Sequence, residues 1–248
     1  MPLLQSEAVI LRTYPIGEQD KLVVVFSRER GVIKGVAKGA RKFANRFGST
    51  LEPMSRVRAF YYEKERLELV TISNCDLIES YFDVQKDLDV ACALSYFAEL
   101  IVEFSPSLAC DDVLYRLLLT LLQGFKERGE VRLLSRYFES WFLRINGWLP
   151  EFRRCKSCRK EIAGEGWLAP RRDGVYCANC AHERRDAVGP EAAAFTAWAK
   201  KSSPLAAPDP PFAPAALDAV GRTHQAIICF HLEKEPRTLR FIKPPAKP

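Results

Sequence analysis

Histidine is scarce in this chain, with three residues in 248, and methionine is scarcer, with two. No histidine is paired with a serine or cysteine in a pattern that would activate a nucleophile, so acyl transfer of the Ser–His or Cys–His kind is not expected. There is no Gly-rich loop ending in Lys to cradle a phosphate and no nucleophile elbow. Gly35 and Gly39 stand alone and do not satisfy a dinucleotide fingerprint. Carboxylates and histidines do not cluster, which argues against a metal-dependent hydrolase. No apolar run approaches the roughly 18 to 20 residues that span a bilayer, and no basic-then-apolar leader precedes Ser6. Internal repeats are absent too. The expectation is a cytoplasmic, non-catalytic protein with no membrane partner.

Cysteine, by contrast, is well represented, and four of the eight fall in one pattern. Cys155-Lys-Ser-Cys158 and Cys177-Ala-Asn-Cys180 are separated by eighteen residues. Two residues between paired cysteines let both sulfurs of a tight turn reach one metal. The intervening stretch is long enough for a short hairpin, turning at Gly164, Gly166 and Gly174, that brings the second pair back over the first. Four thiolates then complete a tetrahedron about one structural Zn2+. A redox dithiol would occur once, beside a βαβ pattern that is absent. His182 is an alternative to Cys180 as ligand, with a solvent-facing role expected instead. Cys75, Cys92, Cys110 and Cys229 sit among apolar neighbours and read as small buried residues in a reducing compartment.

Net charge is +6, and its distribution says more than its sum. Arg28–Arg58 holds nine Lys or Arg against two acids, Tyr81–Ser140 ten acids against six cations, and Arg144–Arg185 ten cations against five acids. Two basic regions flanking an acidic one suit a polyanionic partner, although any single cation is most simply a solvated surface residue. Arg153, Arg154, Lys156, Arg159 and Lys160 also offset the double negative charge of a four-thiolate Zn2+ site, which leaves their contact with a polyanion open.

Hydrophobic periodicity divides the chain near residue 80. Before it, Ala8–Leu11, Leu22–Phe26, Val32–Lys38, Val57–Tyr62 and Leu67–Ile72 read as five short strands, with a turn at Tyr14–Gly17 and a hairpin over Glu63–Arg66. An oligonucleotide-binding barrel has this size and strand count. After it, Val84, Leu88, Ala91, Leu94, Phe97, Ile101 and Phe104 recur at helical spacing, up to a break at Ser105-Pro106-Ser107. Asp111 or Asp112 is expected to cap a second helix. A third runs to Gly147 with Leu134, Tyr137, Phe138, Trp141, Phe142 and Ile145 inward. Gly189-Pro190-Glu191 opens a fourth, and a fifth spans about Ala215 to Glu233, with His224 and His231 as ordinary helix residues. Five prolines between Ser202 and Pro214 mark an irregular connector, Leu239–Ile242 reads as an extended piece, and Pro244–Pro248 as a frayed end. The predicted architecture is α+β. A small β-barrel of the oligonucleotide-binding type occupies residues 1–80, and an α-helical domain over 81–248 carries a four-cysteine zinc hairpin at about 153–185.

The densest cationic stretch lies in the strand region. Lys34, Lys38, Arg41, Lys42 and Arg46 fall within thirteen residues, interleaved with Phe43 and Phe47. Cations there would track phosphates while an exposed Phe stacks on a base; equally, Phe43 and Phe47 would anchor the loop to the core. Arg12, Arg56 and Arg58 would extend the groove.

Three features together resemble one family. Ala8-Val9-Ile10-Leu11 leads through Glu18-Gln19-Asp20-Lys21-Leu22 and Phe26-Ser27 to Gly31 and Val36-Ala37-Lys38-Gly39-Ala40-Arg41-Lys42. Phe138–Gly147 with Pro150 runs into both cysteine pairs, and the last helix is followed by Leu239-Arg240-Phe241-Ile242. In this order they are similar to the bacterial recombination mediators of the RecO family, over nearly the whole chain. Asn45-Arg46 departs mildly from the Ser-Arg of many relatives. The resemblance implies single- and double-stranded DNA as ligands, annealing of complementary strands, and work with RecR to load RecA on DNA coated with single-strand-binding protein. It also implies recognition of that protein's acidic, aromatic-ended C-terminal tail, no enzyme site, and a nucleoid-associated place in the cytoplasm. Only Lys38, Arg41, Lys42 and the four cysteines carry over residue by residue. The alternative is a zinc-ribbon adaptor that binds only proteins, which needs no basic strand region.

Overall fold

A computed structural model describes residues 2–63, 69–105, 110–206 and 212–242. The chain divides into two units, Met1–Leu122 and Gln123–Pro248. Residues 64–66 of the expected turn, 67–68 of the strand expected at Leu67–Ile72, 106–107 of the break, 207–211 of the proline-rich connector and the tail Pro244–Pro248 lie outside the described residues. No helix among the described residues is long and apolar enough to cross a membrane.

The first unit is built on β1 (Leu3–Ile16), β2 (Asp20–Ser27), β3 (Gly31–Ala37), β4 (Arg56–Tyr62) and β5 (Val70–Glu79). Neighbours are antiparallel except for β3 against β5, and the order β1-β2-β3-β5-β4 closes as β4 pairs back to β1. Alternate residues of each strand fill the interior, among them Ala8, Ile10, Val23, Val25, Ile33, Val57, Ala59, Tyr61 and Ile72. At Gly35 the walls come closest: a Cβ there would lie 2.7 Å from Val70 Cγ2 and 2.8 Å from Ile72 Cγ1. Leu11 is an extra residue in β1, where the register with β2 shifts between Ile10 and Arg12.

β1 runs straight through the turn expected at Tyr14–Gly17. Pro15 pairs with Lys21 and Ile16 with Asp20, and the reversal falls just after, where Gly17 takes a φ of 57°. A strand admits this proline because β1 pairs with β4 only over Leu3–Val9, leaving one side of Pro15 without a ladder to break.

The outer faces of β1 and β2 are buried as well, through Val9, Leu11, Val24 and Phe26. Their cover comes from α1 (Leu88–Phe104) and the start of α2 (Asp112–Glu127). The Tyr115 ring packs 5.7 Å from that of Phe26, and its hydroxyl donates to Glu7 Oε1 at 3.2 Å. A short 3-10 turn at Asp83–Lys86 precedes α1, which starts afresh at Asp87, whose carboxylate accepts from Asp89 and Val90. That restart shifts the inward face: Leu88 is exposed, and Val90, Leu94, Phe97 and Ile101 are buried. Asp111 caps α2 by accepting from Leu114 N at 2.9 Å, while Asp112 pairs with Arg28 and Arg116.

The second unit contains α3 (Val131–Ile145), a small sheet of β6 (Gly166–Leu168), β7 (Val175–Tyr176) and β8 (Ala187–Val188), then α4 (Pro190–Lys201) and α5 (Pro214–Leu232). Leu239–Phe241 is a 3-10 turn and not an extended piece. Of the four cysteines read as buried, Cys75 is, Cys92 and Cys229 are half-buried, and Cys110 is exposed. The two α5 histidines also differ from expectation: His231 stacks on Trp148 with centroids 4.6 Å apart, and His224 is wholly buried.

His224 belongs to a polar cluster between α3 and α5. Arg136 NH1 lies 3.3 Å from Glu139 Oε2, Gln225 Nε2 donates to Glu139 Oε1 at 3.1 Å, and His224 Nδ1 is 3.7 Å from Glu139 Oε2. Burial lowers the His224 pKa against the pull of Glu139, so the imidazole stays neutral. Arg136 fits only because residue 221 is glycine, where a Cβ would fall 1.5 Å from its NH1. Gly221→Ala is therefore expected to push the guanidinium off Glu139 and cost about 3–5 kcal/mol, the penalty of a broken buried pair. Urea unfolding measures it, and an unchanged midpoint would show that the pair carries no such burden.

Candidate metal centre and cationic loop

In the second unit the hairpin of β6 and β7 turns at Pro170–Asp173, where Arg172 takes a left-handed φ of 57°. Gly166 and Gly174 are close-approach positions and not the expected turns. A Cβ on Gly166 would meet Val175 Cγ1 at 2.5 Å, and one on Gly174 would meet Lys156 Cδ at 2.7 Å. The two cysteine turns are closed by backbone bonds. Arg159 N donates to Cys155 O at 2.9 Å, and Cys180 N and Ala181 N both donate to Cys177 O at 3.0 Å.

All four sulfurs, of Cys155, Cys158, Cys177 and Cys180, consequently lie within 4.8 Å of one another, with Cys158 and Cys177 3.8 Å apart. A tetrahedron with metal–sulfur bonds of about 2.3 Å has edges of about 3.8 Å, so the set is spaced for one metal ion. Burial pushes the Cys155 thiol up, but N–H groups of Cys177, Cys158 and Ser157 aimed at its sulfur bring it down to about 6. Hydrogen bonding to Cys177 and Cys158, with burial, pushes Cys180 up to about 12. Four sulfurs this close cannot all ionise unless a cation sits among them. His182 is exposed and outside the set. Of the surrounding cations, Lys156 pairs with Asp173, while Arg153, Arg154, Arg159 and Lys160 are exposed.

In the first unit the cations of Arg28–Arg58 sort into two sets. Arg28 is paired with Asp112 at 2.9 Å, Arg30 with Glu63 through bonds of 2.9 and 3.0 Å, and Arg56 with Glu7 at 2.7 Å. Lys34, Lys38, Arg41, Lys42 and Arg46 are all exposed, and among the described residues none of them forms an ion pair. Lys34 faces outward from β3 and Lys38 follows its end. Gly39, with φ 72°, then turns the chain and donates its N–H to Asp20 at 2.8 Å.

Two arginines fasten the loop. Arg41 donates from its guanidinium to Gly17 O at 2.9 Å, and Arg46 from Nε to Ser73 O at 2.5 Å while lying over the Phe47 ring at 4.8 Å. Phe47 is buried in the barrel core and Phe43 is fully exposed, which separates two rings of equal standing in the sequence. Of the residues expected to extend the groove, Arg56 is paired with Glu7, while Arg58 is exposed on β4 with Glu7 and Asp76 as its register neighbours.

A cleft of about 530 Å³ in the second unit had no sequence signal. Leu149, Pro150 and Phe152 line it with apolar groups, and Arg144, Arg153 and Lys200 outnumber Glu151 among its charges. Its walls come from segments about fifty residues apart, so no contiguous motif announces it.

Fold and site define a class: a small closed barrel with a cationic loop free of ion pairs among the described residues, carried on the same chain as a helical unit with four cysteine sulfurs spaced for one metal ion. Within that class, the model for the N-terminal part of recombination protein O matches residues 1–81 and the model for its C-terminal part matches residues 85–240. The chain belongs to the recombination protein O family. The DNA repair protein RecO of Koribacter versatilis is 41% identical over 177 residues, covering 71% of this chain and 72% of the relative. That of Geobacter metallireducens is 31% identical over 247 residues, 98% of each chain, and that of Desulforudis audaxviator 28% identical over 249 residues, 98% of this chain and 97% of the relative.

Proposed function

We propose that this chain is a DNA-binding recombination mediator in DNA repair, holding single- and double-stranded DNA on the barrel loop and annealing complementary strands. The observation that carries the reading is the sorting of cations: Arg28, Arg30 and Arg56 are neutralised by carboxylates, whereas Lys34, Lys38, Arg41, Lys42 and Arg46 form no ion pair among the described residues and share one strand and loop with the exposed Phe43. Such a loop matches a phosphate chain with an accessible base. Cations lower the repulsion between two strands held on one surface, so pairing can start, and base pairing then supplies the specificity. The five-stranded closed ring has the strand count of an oligonucleotide-binding barrel. With RecR the protein would help load RecA on DNA covered by single-strand-binding protein, in the cytoplasm at the nucleoid. No step needs a catalytic residue. A labelled oligonucleotide titrated in low-salt buffer tests the reading, and a protein that ignores it there overturns it.

Cys155, Cys158, Cys177 and Cys180 would hold one Zn2+, which supplies folding energy and no reaction chemistry. The acidic, aromatic-ended tail of single-strand-binding protein would seat in the cleft beside Phe152, where Leu149 and Pro150 offer apolar contact and Arg144, Arg153 and Lys200 outnumber Glu151. Arg153→Glu with Lys200→Glu is expected to weaken binding of such a peptide at least roughly tenfold by fluorescence anisotropy, through like-charge repulsion, and to leave binding by the barrel loop unchanged. An unchanged peptide affinity would move the tail to another surface.

A further inference from the structure

We propose that a second cleft, beside the cysteine turns, takes one extruded base and its phosphate from single-stranded nucleic acid. The proposal rests on the DNA-binding reading above but concerns a different surface. This cleft measures about 380 Å³ and is bounded by Leu168 and Pro170, the ring-bearing Tyr176 and His182, the guanidinium-bearing Arg172 and Arg185, and one acid, Glu183. Small-ligand sites run from about 300 to 1,000 Å³, so the space admits one heterocycle with its phosphate and no duplex.

The walls are held in place before anything binds. Arg172 and Asp186, both with left-handed backbone (φ 57° and 50°), are joined by an ion pair of 2.5 Å that ties the β6–β7 turn to the residue before β8. Strain of this kind in non-glycine residues gathers at ligand clamps. Arg172 Nε is buried without a hydrogen-bond partner among the described residues. Arg184 is fastened over Trp167 at 5.1 Å and donates to Ala178 O at 3.3 Å, which fixes the segment carrying His182 and Arg185. Arg185 itself is held loosely, 3.6 Å from the exposed Glu183, and can exchange that carboxylate for a phosphate. Cations alone would equally suit an acidic peptide. Two rings lining the same cleft as Leu168 and Pro170 favour a planar base.

The test uses the full-length, zinc-loaded chain and an oligothymidylate with one 4-thiothymidine, irradiated and mapped by peptide mass. Adducts on the 168–185 segment are expected beside those on the 38–46 loop. Tyr176→Ala with Arg185→Gln should lower single-strand affinity roughly tenfold, the loss of one stacked base, with duplex affinity, zinc content and thermal midpoint unchanged. Adducts confined to the 38–46 loop, or unchanged single-strand affinity in the variant, would overturn the cleft and leave the barrel reading intact. Protection of the cleft by an acidic peptide and not by the oligonucleotide would assign it to a protein partner. Failure to bind any oligonucleotide would bring down both.

Discussion

Replacing Lys38, Arg41 and Lys42 together by Ala is expected to reduce the salt dependence of single-strand binding by about two units of log–log slope. Each phosphate contact on a single strand contributes roughly 0.7 through counterion release. Near 0.1 M salt the same change amounts to roughly a hundredfold in affinity, and the annealing rate should fall with it. Arg41 also donates to Gly17 O, so the triple variant needs a thermal melt beside the titration. The side chains of Lys38 and Lys42 bond nothing among the described residues, so the double change isolates charge from loop structure and should give about two-thirds of the triple variant's drop in slope. Annealing that survives the triple change intact would mean that strands are aligned on another surface.

Cys158→Ala is expected to abolish stoichiometric zinc and to melt the two cysteine turns. Structural zinc in small domains contributes about 10–16 kcal/mol, as much as the whole stability of an ordinary domain. Cys158 is the informative ligand because it is exposed, so its replacement opens no cavity and the loss belongs to the metal. Elemental analysis of protein purified without chelator should give one zinc per chain, falling to none in the variant. Hydrogen exchange should show lost protection over residues 155–181 and none over the barrel strands. Wild-type protein free of zinc would refute the tetrathiolate.

What was legible in the sequence was whatever short spacing dictates. Two cysteine pairs separated by eighteen residues bring four sulfurs together because each turn is local, and five β-branched runs became five strands. What long-range pairing decides was hidden. Arg28, Arg30 and Arg56 read like Lys38 and Lys42 until Asp112, Glu63 and Glu7 arrive from 84, 33 and 49 residues away to neutralise them. Phe43 and Phe47 differ only in which side of one loop meets the barrel. Pro15 signalled a turn because proline disrupts ladders, and the strand tolerated it because only one ladder runs past that point. His224 looked ordinary since its partner Glu139 lies on another helix. The larger cleft draws on segments about fifty residues apart and carries no contiguous signature, while the smaller one lies within residues 168–185 and is made by the way the cysteine hairpin folds.

The apolar back of β1 and β2 has a bearing on biogenesis. The cylinder can knit its last hydrogen bonds once β5 has left the ribosome, yet Phe26 still waits for Tyr115, some thirty-five residues further along the nascent chain. Until that tyrosine clears the exit tunnel, the newborn strands present a greasy wall to water, the kind of surface that chaperones hold and that seeds aggregation when they do not.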